Sequence, residues 1–91
     1  MARLDLSTGL SGHMEIAAQT GAPDALFELG MLYATGRDVD MDLISAHKWF
    51  NLAAARGNGS ARTYRVELAL EMSSDQVSEA QRRAREWQQT H

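Results

Sequence analysis

Three groups of side chains in this 91-residue sequence have types and spacings that could do chemistry. Asp38-x-Asp40-x-Asp42 imitates the opening of a calcium loop. The sixth position of that loop, however, is Leu43 rather than the glycine a sharp turn requires, and the twelfth is Trp49 rather than a bidentate glutamate. The triplet is therefore expected to be a helix-capping loop. His47 stands beside Lys48 and Trp49, but a general base needs a nucleophile or an orienting carboxylate next to it, and the sequence supplies neither. Packing or a surface hydrogen bond is the expected role of His47, while His13 and His91 fall in expected tails. Arg82, Arg83 and Arg85 form a basic cluster interleaved with Glu79 and Glu86, the pattern of a solvated face rather than a phosphate-binding patch. With no nucleophile-base constellation, phosphate loop or metal-ligand cluster, neither an enzyme nor a cofactor is expected.

The elements that carry these residues show themselves through an internal echo. Ala17, Ala18, Gly21, Ala25 and Leu32 recur as Ala53, Ala54, Gly57, Ala61 and Leu68, an offset of 57 minus 21, or 36 residues. Each match falls where an alanine-rich helix would end at glycine and a new helix would start. Such a period marks a helical repeat, whose helix pairs bury their apolar faces against neighbours. Helix one is expected from Pro23, with Ala25, Leu29, Leu32, Tyr33 and Gly36 as its buried stripe, and helix two from about Asp42 to Ala55, with Leu43, Ala46, Phe50, Ala53 and Ala54. Helix three is expected over residues 60–72, with Ala61, Tyr64, Leu68 and Met72 facing inward. Ser73-x-x-Gln76 reads as a capping box that opens helix four, where Val77, Ala80, Ala84 and Trp87 form the stripe. Residues 1–14, broken by Gly9 and Gly12, are expected to be a flexible leader, and Gly12-His13-Met14 resembles a cloning remnant.

The unit between the two restarts carries Leu29-Gly30-x-x-Tyr33-x-x-Gly36, then Val39, Asp42, Ala46, Trp49, Phe50, Ala53 and Gly57. This string resembles the Sel-one-like repeat, a variant of the tetratricopeptide helix-turn-helix with a longer internal loop. The resemblance implies an all-α chain forming a short α-α superhelix of two stacked helix-turn-helix repeats. A complete repeat would span residues 22–57 and a divergent capping pair residues 58–89, within a domain covering residues 15–90. Asp38 stands where the family usually has glycine, and aspartate tolerates the left-handed backbone such a position demands. In the second unit Arg65 replaces Leu29 and Val66 replaces Gly30, which suits a cap whose outer face meets water.

The composition fits one small helical domain: 44% hydrophobic residues, one proline and no cysteine. Without cysteine there is no disulfide framework and no thiolate metal site, and no apolar run approaches the roughly 20 residues of a membrane span. A cytoplasmic location is the default expectation. A net charge of -3 argues against nucleic acid as a partner.

The family's arrangement implies a concave groove lined by the first helix of each pair. Its positions map onto Asp24, Phe27, Met31, Ala34 and Thr35, then Ser60, Thr63, Glu67, Leu70 and Glu71. Phe27 and Met31, four apart, share a helix face that the core stripe does not use. An exposed phenylalanine beside an adaptable methionine, with acidic residues at the edge, suits a basic or amide-rich segment of a protein partner. The expected function is thus a non-catalytic interaction module, an adaptor or scaffold. A self-associating homodimer is the alternative, and a nucleic-acid binder using helix four is a third. Against this stands the expectation that the leader, or a short helix over Met14 to Thr20 carrying Ile16, folds back over the Phe27 face.

Overall fold

Local signals fix where the helices start and stop. The computed structural model describes residues 9–91, and among them five α-helices occur: α1 Gly9–Ala18, α2 Pro23–Thr35, α3 Leu43–Ala55, α4 Gly59–Ala69 and α5 Ser74–Thr90. Pro23 opens α2 with its torsion already helical, and Asp24 places a negative charge at the positive end of the dipole. Gly36 ends that helix at φ 72°, its N–H donating to the Leu32 carbonyl at 2.9 Å while the Arg37 N–H reaches the same oxygen at 3.1 Å. Asp42 caps α3 by accepting from the Ser45 N–H at 3.1 Å and the Ser45 hydroxyl at 2.8 Å. Asn58 caps α4 through the Ala61 N–H at 2.9 Å. The capping box of α5 is complete, since Gln76 N–H donates to Ser73 Oγ at 3.1 Å and Ser73 N–H donates to Gln76 Oε1 at 2.9 Å. Asp38 adopts φ 65°, the left-handed backbone anticipated for it.

Two boundaries differ from expectation. α1 begins at Gly9, so the second part of the expected flexible leader is helical, Gly12-His13-Met14 included. Residues 1–8 lie outside the described residues. Helical glycine is unfavourable by itself, and α1 is held by packing on α2, with Ala18 buried and Met14 against the core. α4 stops at Ala69, three residues short of the expected end, and its last carbonyls are met by turns at Leu70, Glu71 and Met72.

α3 is the centre of the molecule, packed against α2, α4 and α5, while α1 packs on α2. Its Phe50 and Leu52 are fully buried together with Leu26 and Leu29 of α2. A Cβ at Gly30 would overlap the Phe50 ring, so this glycine is what lets α2 and α3 approach. Leu26 and Leu52 lie off the expected stripes because α2 and α3 are each flanked on more than one side. α5 docks through Ala80, Ala84 and Trp87, the last edge-to-face on Trp49 at 5.9 Å. The 36-residue echo has a physical counterpart: Gly21 and Gly57 both have positive φ, and Leu32 and Leu68 are both buried.

Candidate protein-binding face

Phe27 is not the free anchor that helical spacing suggests. Its ring lies 5.7 Å from Phe50 and 5.4 Å from Tyr64, and Phe50 and Tyr64 lie 5.6 Å apart, so the three rings form one cluster tying α2, α3 and α4 together. Phe27 is half-buried there, and Tyr64, placed by sequence in the core stripe, is 41% exposed at the outer edge of the cluster. Above them is a cavity of about 180 Å³ lined by Phe27, Glu28, Met31, Thr35, Arg37 and Tyr64. The sequence reading missed Glu28, Arg37 and Tyr64 as lining residues. Tyr64 offers the one usable signal, since it adjoins Thr63 and stands three residues before Glu67, one helical turn away on the same face.

The remaining expected positions divide. Thr35 lines the cavity and donates its hydroxyl to the Met31 carbonyl at 2.7 Å. Ala34 packs against the core instead. Asp24 is engaged, accepting from Asn58 Nδ2 at 3.1 Å, a bridge between the starts of α2 and α4. Ser60, Thr63, Glu67 and Glu71 are exposed on or just beyond α4. Leu70 does not join them. At 83% exposed it lies on another side of α4, bordering a second cavity beside His47 and Val66, because six helical residues turn it well away from Tyr64. No α1 residue lines the Phe27 cavity, so among the described residues the face is not covered by the helix carrying Ile16.

The other chemistry-bearing groups are occupied by structure. Asp42 caps α3, and His47 is buried, with its Nδ1 lacking a hydrogen-bond partner. Desolvation, aided by the Arg65 charge, lowers the His47 pKa below its ordinary 6.5. Glu79 receives Arg82 at 2.6 Å and Arg83 at 2.7 Å, and Arg82 also pairs with Glu86. Hydrogen bonds from Arg82 and Arg83 bring the Glu79 pKa down from 4.5 to about 2. Two of the three clustered arginines are thus neutralised by their own helix. Lys48 Nζ sits 4.1 Å above the Trp49 ring. Among the described residues no group of three His, Cys, Asp or Glu side chains could hold a metal ion, and no helix is long and apolar enough to cross a membrane.

Set against protein-family models, curated proteins and solved structures, the chain matches none of them.

Proposed function

We propose that this chain is a non-catalytic protein-interaction module of the Sel-one-like kind, its five helices forming a short α-α superhelix in which α4 and α5 act as the cap. It takes a peptide or helix of a partner protein on the face of α2 and α4. The observation that carries this reading is the Met31–Tyr64 cavity: a half-buried aromatic cluster with an exposed tyrosine edge and a flexible methionine, on a face that, among the described residues, no helix but α2 and α4 lines. Rigid aromatic edges beside adaptable apolar side chains dominate protein interfaces. Glu28 and Arg37 balance one another at the cavity, while Glu67 and Glu71 are exposed on the α4 side, which favours an amide-rich segment with any basic group turned toward α4.

Because Phe27 stands between the core and the face, the test belongs on Met31 and Tyr64, which are only partly packed against the core. Met31→Glu and Tyr64→Ala, each alone, should reduce capture of a partner from the native cell by about tenfold or more, an effect of roughly 1.4 kcal/mol or above. Each variant should keep its helical circular-dichroism signal. Capture undiminished in both would remove this face from binding. Light scattering addresses the homodimer alternative: a doubled mass lost in Tyr64→Ala would favour self-association through the same face.

A further inference from the structure

Lys48 is the sole lysine of this chain, and it is not placed as a fully solvated amine. It stands half-buried on α3, its Nζ 4.1 Å from the centre of the Trp49 ring, and opens onto a cavity of about 420 Å³ lined from α5 by Arg82, Arg83, Glu86 and Trp87. Among the described residues no carboxylate pairs with it. Glu79 and Glu86 are taken by Arg82 and Arg83, two carboxylates for two guanidiniums, so Lys48 is the charge left over. Arg83 reaches Glu79 through its Nε, which leaves the rest of its donor fork for another anion. Burial lowers the Lys48 pKa from its ordinary 10.5; Glu15 of α1 opposes this, Arg83 adds to it and Glu86 opposes it. An amine desolvated beside another cation keeps more of its free base, and the free base is the nucleophile.

We infer that Lys48 is a carbonyl-capture site, whose amine forms a reversible imine with an aldehyde carrying a carboxylate or phosphate group, the anion lying against Arg83. The Nζ lone pair attacks the carbonyl carbon, and the carbonyl oxygen takes up the proton that nitrogen gives up. Loss of that hydroxyl as water leaves a C=N bond, so amine and aldehyde become imine and water with no oxidant or reductant. Protonated from solvent, the imine keeps the positive charge of the ammonium, and the ligand's own anion supplies the carboxylate or phosphate that Lys48 lacks as a partner. The Trp49 face serves that cation as it serves the ammonium. The site shares no lining residue with the Met31–Tyr64 face and is independent of it.

The full chain is incubated with glyoxylate, glyceraldehyde 3-phosphate or propionaldehyde and with cyanoborohydride, which reduces the imine to a stable secondary amine. Peptide mapping by mass spectrometry separates adducts at Lys48 from those at the α-amino group, and each rate is divided by that of acetyl-lysine amide with the same aldehyde. That quotient should exceed one at Lys48 and be larger for an anionic aldehyde than for propionaldehyde by about fivefold, the size of one exposed ion pair. A gain with glyoxylate alone marks a carboxylate site, and a gain with glyceraldehyde 3-phosphate alone marks a phosphate site. The pH midpoint of labelling at Lys48 should lie below that of acetyl-lysine amide. Arg83→Gln should remove the preference for the anion while the helical signal and α-amino labelling stay unchanged. Labelling of Lys48 no faster than acetyl-lysine amide, equal quotients for anionic and neutral aldehydes, or a preference intact in Arg83→Gln would overturn the proposal.

Discussion

His47 shows how a residue that could titrate in function serves packing instead. Its ring is buried with Nδ1 unpartnered, and desolvation lowers its pKa below 6.5. The unfolded chain therefore binds a proton below pH 6.5 that the native state resists, so this contribution to stability is complete above 6.5 and declines as pH falls toward the lowered native value. The Tm of the wild type should drop between about pH 7.5 and about pH 5.5, and His47→Leu should flatten that slope; parallel slopes in calorimetry would exclude His47 as its source. Glu79 acts in a lower window, its stabilisation present above 4.5 and lost as pH falls toward about 2. Gly30 is governed by space rather than charge. Gly30→Ala puts a methyl group into the Phe50 ring and should cost about 1 to 3 kcal/mol, measured by denaturant unfolding, and an unchanged midpoint would mean the ring moves freely.

Among the elements, α5 is polar along most of its length and is held by few buried residues, Ala80 and Ala84 above all. Its start depends on the reciprocal bonds between Ser73 and Gln76. Ser73→Ala should therefore destabilise by about 0.5 to 2 kcal/mol and speed amide exchange first in residues 74–80, whereas exchange that quickens equally in all helices would mean the cap is not local. The ends of α2, α3 and α5 were legible in sequence because proline, glycine and short polar side chains act on the adjacent backbone. Which faces of α2 and α3 are buried was less legible. α2 has apolar residues nearly all round, so periodicity could not distinguish a stripe containing Leu26 from one containing Tyr33.

On the scale of the whole molecule, α3 ties the chain together and α5 reaches it through the Trp49–Trp87 contact. Trp87→Ala should loosen α5, move the Trp49 emission to the red and cost about 3 to 5 kcal/mol if the contact is fully used, less in proportion to its partial exposure. A stable, unshifted Trp49 would show that Ala80 and Ala84 alone hold the helix. Sequence by itself determined the all-helical class, the starts of α2, α3 and α5, and the equivalence of the two glycine restarts, since each rests on bonds or torsions within a few residues. Tertiary structure decided that residues 9–14 are helical, that Phe27 is drawn into the ring cluster, and that Leu70 turns away from the face it was expected to share. These depend on which helix lies beside which, and on the volume left between them, information carried by pairs of residues far apart in the chain.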